Sequence, residues 1–260
     1  MTKLLAPAKS KVLFLGNEAI ARGALEAGVA VASAYPGTPS SEILESLSGI
    51  AGERNLYVEW SVNEKVAVEV AAAASFSGLR ALVAMKQNGV NVASDFLLHL
   101  TASGTRGGLV LVSCEDPGAL SSVNEGESRH FARLMEIPLL EPADFQEAKE
   151  MTRWAFDLSE AIRNVVMVRS VTRMSHASGN VVLGSLPEEV VQARFSCSGL
   201  ISDPENGPMV STPVIQKHRL QQEKLGKATA LFEQNPFNGY EGPERPELLK
   251  KIEAGMQRNL

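Results

Sequence analysis

Short apolar runs alternate with amphipathic stretches along most of this chain, and that alternation predicts its architecture. Val12–Leu15, Val29–Ala34, Tyr57–Trp60, Ala81–Met85, Leu109–Ser113, Leu139–Leu140 and Val165–Arg169 read as strands. Between them, Asn17–Ala27, Pro39–Gly49, Asn63–Ser77, Val92–Thr101, Glu125–Glu136 and Phe145–Ile162 carry helical spacing. Near-continuous apolar strands separated by such helices predict an α/β fold, a doubly wound, mostly parallel sheet with helices on both faces. Right-handed crossovers then put every strand-to-helix loop on one edge of the sheet. The polar and glycine-rich segments Tyr35–Pro39, Ser61–Glu64, Lys86–Asn91, Cys114–Glu127 and Arg169–His176 fall on that edge, where chemistry is expected.

Beyond Val182 the pattern weakens and Ser, Pro, Gly and Asn become frequent. A charged helix is expected at about Gln216–Glu233, a loop from Asn235 to Pro243, and a terminal helix over Pro246–Asn259. The chain therefore divides into an α/β domain over residues 1–181 and an arm over 182–260. The arm lacks the apolar density for a core of its own and is expected to pack on the domain or on a partner.

Composition narrows the function classes. The chain has 260 residues, 44% of them hydrophobic and 21% charged, as in ordinary globular proteins. Its net charge is −5 and its Lys and Arg are scattered, so neither nucleic acid nor an anionic membrane surface is a natural partner. The apolar run after Lys3, Lys9 and Lys11 is too short for a signal-peptide core, and Glu69 interrupts the longest apolar segment. Two cysteines, Cys114 and Cys197, stand far apart, which points to a reduced, cytoplasmic compartment and excludes a four-cysteine iron–sulfur site in this chain.

The strand Tyr57–Trp60 turns at Ser61 into an alanine-rich helix, placing the Glu64 carboxylate at the carboxyl end of a strand. Such a group can relay a proton to a heteroaromatic cofactor. Ser61 and Glu64 also have the spacing of a capping box, in which each satisfies an orphan amide of the first turn. In Tyr35–Glu42, Thr38 reads as an N-cap and Pro39 as the first helical residue, an end that could also present donors to an anionic substrate. Lys86-Gln87-Asn88-Gly89 ends a strand with a cation, two amides and a glycine that permits close approach; Lys86 is either exposed or paired with a carboxylate. Glu115-Asp116-Pro117-Gly118 can ligate Mg²⁺ or form a turn, and its Pro and Gly favour the turn. The Arg169–His176 segment offers no paired His or Cys for zinc and no nucleophile elbow. Gly16–Gly23 lacks the G-x-G-x-x-G spacing of a dinucleotide loop.

Taken in order, the runs Gly16–Val29, Tyr35–Ile43, Glu59–Ala71, Met85–Asp95, Gly107–Gly118, Ser121–Ala132 and Arg169–His176 resemble the 2-oxoacid:ferredoxin oxidoreductases, most closely their indolepyruvate branch. The resemblance covers the first two-thirds of the chain. It implies the pyrimidine-binding domain of a thiamine diphosphate enzyme, with Glu64 against N1′ of the aminopyrimidine ring. A carboxyl group in an apolar pocket has a raised proton affinity and can share a proton with that nitrogen. The resemblance further implies that Tyr35, Thr38, Lys86 and Arg173 bind substrate, and that Gly37, Gln87, Asn88 and Asn91 join Glu64 in binding cofactor. Gln87 departs from the histidine usual in the aromatic-substrate branch, which bears on aryl-pyruvate specificity. The GDG…N pattern that binds Mg²⁺ and the diphosphate is missing.

The implied protein is thus one subunit of a hetero-oligomer acting on a 2-oxoacid with CoA and ferredoxin. It would share thiamine diphosphate with a second chain that holds Mg²⁺ and the diphosphate, and iron–sulfur clusters would lie on another chain. Two alternatives are a subunit of a non-oxidative 2-oxoacid decarboxylase and a non-catalytic scaffold subunit.

Overall fold

The computed structural model describes residues 2–188, 191–195 and 214–238. Six parallel strands form the central sheet in the order β3-β2-β4-β5-β7-β6, namely Tyr57–Trp60, Val31–Ala34, Ala81–Lys86, Leu109–Glu115, Val166–Val171 and Leu139–Leu140. The period-2 pattern sorts their side chains to two cores. On β4, Leu82 and Ala84 enter one core while Ala81, Val83 and Met85 enter the other. On β5, Val110, Val112 and Cys114 face the first core, and Leu109 and Leu111 the second. Helices α1 (Gly16–Glu26), α2 (Ser41–Ser48) and α7 (Phe145–Ile162) cover the first face. Helices α4 (Glu64–Phe76), α5 (Gln87–Ser103) and α6 (Ser128–Met135) cover the second. Short helices α3 (Ala51–Arg54) and α8 (Thr172–His176) complete the α/β domain. The doubly wound parallel sheet expected from the sequence is present.

Two strands lie outside that expectation. β1 (Lys11–Leu15) is not part of the parallel sheet; it pairs antiparallel with β8 (Ser178–Val182), a strand that the apolar pattern did not reveal. The reason is visible in β1 itself, where Leu13 is exposed while Phe14 is fully buried. A strand covered on one face only suits a two-stranded antiparallel ribbon rather than the doubly covered interior. In β8, Ser178, Gly179 and Asn180 carry little strand propensity. Gly179 has a packing reason, because a Cβ there would lie 1.9 Å from Phe145.

The first face is tied together by a buried ion cluster. Arg22 on α1 bonds Glu26 at 2.8 Å, and Lys149 on α7 approaches the other Glu26 oxygen at 3.2 Å. The same guanidinium donates to the carbonyls of Leu4, Ala6 and Gly184, so it pins the start of the chain and the segment after β8 against α1. Helix α9 (Val214–Phe232) lies against α5 and α7. Lys224 and Lys227 donate to the carbonyls of Arg163 and Ala161 at the end of α7, and Gln221 to that of Met135 at the end of α6. Cationic and amide side chains there satisfy carbonyls that a helix terminus leaves without partners. The expected terminal helix over Pro246–Asn259 lies outside the described residues. Among those described, no helix is long and apolar enough to cross a membrane.

Candidate functional site at the carboxyl edge of the sheet

Helix α2 follows β2 on one face of the sheet, and α5 follows the adjacent β4 on the other. The carboxyl ends of β2 and β4 therefore form a topological switch point, the crevice where open α/β sheets bind ligands. Lys86 closes β4 inside this crevice. Its stem lies under Gly37 of the β2 loop, where a Cβ would come within 3.3 Å of Lys86 Cβ. Its ammonium donates to Ser121 O at 2.9 Å, in the loop after β5.

Glu64 is the first residue of α4. The capping-box alternative for Ser61 and Glu64 does not hold. The cap is Asn63, whose Oδ1 accepts from Val66 N at 2.9 Å, while Ser61 Oγ donates to Glu59 at 2.9 Å. Asn is as good a cap as Ser. With the cap supplied by Asn63, the Glu64 carboxylate is not spent on its own helix. It is half-buried and leans on the first turn of α5, where a Cβ on Gly89 would lie 2.4 Å from Glu64 Cγ and 2.8 Å from Oε1. Gly89 is thus required by contact, not by backbone conformation.

The segment Lys86–Asn91 is a helix start rather than a loop, because α5 begins at Gln87. No side chain caps this N-terminus and no acidic residue stands in its first turn. Gln87 is 2% exposed, and among the described residues neither of its amide atoms, nor Asn88 Oδ1, has a hydrogen-bond partner. Buried amides are normally satisfied, so these mark a place where another group is expected. Asn91 is exposed one turn on, on the same side of the helix as Gln87.

On the β2 loop, Tyr35 and Thr38 are exposed. Thr38 is not the N-cap of α2; Ser40 holds that position, and its Oγ bonds Gly37 O at 2.7 Å. The loop is held from behind by Asn17, whose Nδ2 donates to Pro39 O and Glu42 Oε2, each at 2.7 Å. His176 stands 3.3 Å from the other Glu42 oxygen.

The acidic pair at the end of β5 serves the turn. Glu115 accepts from Ser128 N at 2.7 Å and pairs with Arg169, while Asp116 accepts from Ser121, Ser122 and Thr172. The Ser121 amide and the Ser122 hydroxyl hold the Asp116 carboxyl down at about 2. Burial pushes the Cys114 thiol up to about 12, so it packs and does not act as a nucleophile. Arg173 lies on α8 after β7, two strand positions along the sheet from β4, and lines a cleft of about 750 Å³ with Arg129, Glu141, Phe145, Arg169 and Met174.

Residues 22–201 match the family model for pyruvate flavodoxin/ferredoxin oxidoreductases, thiamine diphosphate-binding. The chain belongs to this family. Within it, the indolepyruvate oxidoreductase subunit IorA of Thermococcus kodakarensis is 47% identical over 234 residues, covering 90% of this chain and 36% of that protein. The IorA of Pyrococcus abyssi is 45% identical over 236 residues with the same shares. The 2-oxoglutarate synthase subunit KorA of Methanothermobacter marburgensis is 28% identical over 184 residues, 67% of this chain and 48% of that one. The chain thus spans about a third of the length of the IorA relatives. A solved 2-oxoglutarate:ferredoxin oxidoreductase from Magnetococcus marinus shares the fold, with a TM-score of 0.68 at 17% identity over 91% of this chain and 47% of that one.

Proposed function

We propose that this family member forms the pyrimidine-side half of the active site in a thiamine diphosphate-dependent 2-oxoacid:ferredoxin oxidoreductase, converting an aryl pyruvate such as indolepyruvate to its acyl-CoA in the cytoplasm. The observation that carries the proposal is Glu64, relieved of capping by Asn63 and cradled by Gly89 at the switch-point edge. The residues present fit the ring end of the cofactor: a half-buried carboxylate for a ring nitrogen, and the unsatisfied amide of Gln87 and Oδ1 of Asn88 for polar ring atoms. Asn91 and the Gly37 loop border the same crevice. Diphosphate, Mg²⁺ and iron–sulfur clusters are assigned to other domains or chains of the complex, as is the ferredoxin contact.

When bound, thiamine diphosphate supplies the nucleophilic carbon and the electron sink for decarboxylation. This chain's part is to hold and move a proton at Glu64 and to orient the substrate. Lys86 attracts the substrate carboxylate, and Tyr35 and Thr38 border it from the β2 loop. Arg173, which lines the cleft beyond β7, is read as a further cation for the substrate.

Glu64→Gln in the assembled complex tests the proposal. Loss of an essential proton relay lowers kcat by about 10²- to 10⁴-fold, with Tm unchanged. Unchanged turnover in that variant would sink the proposal in favour of a scaffold role. Iron–sulfur chains co-purifying with the active complex separate oxidative from simple decarboxylation.

A further inference from the structure

We propose that Asp116 is a positioning residue that sets the Lys86 ammonium for the carboxylate of a 2-oxoacid. The inference rests on the function proposed above and deepens it. Among the described residues, Lys86 forms no ion pair, and its hydrogen-bond partner is the carbonyl of Ser121 at 2.9 Å. An ammonium has three donors, so two stay unspent. The direction of the Ser121 carbonyl, together with the through-space pull of the Asp116 carboxylate, therefore aims the cation.

Asp116 fixes that direction from both sides. Its Oδ2 accepts from Ser121 N and from Ser122 Oγ, each at 2.7 Å, so the peptide before Ser121 and the side chain of Ser122 after it are anchored to one carboxylate oxygen. Its Oδ1 accepts from Thr172 Oγ1 at 2.9 Å, which ties the loop to the start of α8 after β7. Between them the chain turns tightly, with Ala119 N on Asp116 O at 2.9 Å and positive φ at Gly118 and Ala119. One carboxylate thereby joins the ends of β4, β5 and β7. A lysine side chain loses much rotamer freedom when it is held in one place. Holding it before substrate arrives removes that cost from binding. Asp116 itself accepts from four donors, Ser121 N and Oγ, Ser122 Oγ and Thr172 Oγ1, and reaches the ligand only through Lys86.

An interaction made equally in ground and transition states changes KM rather than kcat. The test is a double-mutant cycle in the assembled oxidoreductase, with D116N and K86M. It follows KM for indolepyruvate and, without CoA or acceptor, the calorimetric Kd of the inert carboxylate indole-3-acetate. Each single variant is expected to raise KM and Kd about tenfold, the scale of one charge-assisted hydrogen bond, with kcat within about twofold. The double variant is expected to bind no worse than K86M alone, because the two residues act in series. Hydrogen exchange at the Ser121 amide should speed up in D116N and not in K86M. T172V, which removes one bond from Oδ1, should move Kd the same way by a smaller factor and carries the test if D116N assembles poorly. If the two single effects multiply, Asp116 does not act through Lys86 and the inference is overturned. If K86M binds normally, the carboxylate role of Lys86 fails and this inference fails with it. If K86M weakens binding but D116N and T172V do not, only the positioning role of Asp116 is lost.

Discussion

Glu64 opens α4 and Gly89 is the third residue of α5, and their contact decides what a methyl group would do at position 89. A Cβ would meet Glu64 Cγ at 2.4 Å, and the flexible carboxylate side chain, not a backbone, would have to yield. Alanine is also the better helix former by about 1 kcal/mol. Gly89→Ala should therefore leave Tm unchanged or slightly raised while displacing the proposed proton relay. A displacement of about 1 Å at a reacting group costs on the order of 10²-fold in rate, so the assembled complex should lose that much activity. Calorimetry beside steady-state kinetics checks the split. A lowered Tm with full activity would mean that Gly89 serves packing and that Glu64 is not held by it for chemistry.

At the scale of elements, the wrapping of α9 around the domain can be separated from the sheet. Trp154 on α7 meets Phe232 edge-on at 5.4 Å and Phe237 at 5.9 Å, while Lys224, Lys227 and Gln221 hold the helix to the ends of α7 and α6. Trp154→Ala should cost about 2 kcal/mol, less than a fully buried tryptophan because Trp154 is only half-buried. Hydrogen exchange should quicken over 214–232 while β4 and β5 keep their protection; uniform loss would mean that arm and sheet unfold as one unit. The elements themselves were unevenly legible. β3, β6 and α7 match their expected bounds because apolar runs and caps such as Asp144, which accepts from Glu147 N, punctuate them clearly. The start of α5 was hidden because Gln-Asn-Gly reads as a turn, and only the packing of Glu64 explains a glycine there. The carboxylate at the strand end was legible from order and residue type alone. That Asn63 frees it, and that Asp116 gathers three strand ends, depends on side-chain partners distant in sequence or equivalent in propensity.

For the molecule as a whole, ion networks brace both edges of the sheet, and their carboxylates give stability a pH dependence of known sign. At the amino edge, Arg80 bonds Glu160 at 2.6 Å, Asp157 at 2.8 Å and the Ala27 carbonyl at 2.9 Å, tying β4 to α7 and α1. Burial pushes the Glu160 carboxyl up, but the Arg80 guanidinium outweighs it and holds it below its usual range. At the carboxyl edge, burial likewise opposes Arg129 and Arg169 at Glu141, and the arginines prevail. Asp116, at about 2, is lowest among the depressed groups. A carboxyl whose folded value is depressed contributes stability that is full above its unfolded value, near 4, and is lost as pH falls through the folded one. Tm should therefore hold between pH 7 and about 5 as far as these groups decide it, then fall progressively toward pH 2, with Asp116 lost last. Arg80→Met isolates the amino-edge share. With the guanidinium gone, Glu160 titrates nearer its ordinary value, so the variant should lie below the parent at pH 7 and converge on it toward pH 2. A deficit of constant size across that range, followed by scanning calorimetry, would show that Arg80 braces the edge by its packed stem and its bond to Ala27 rather than by its charge.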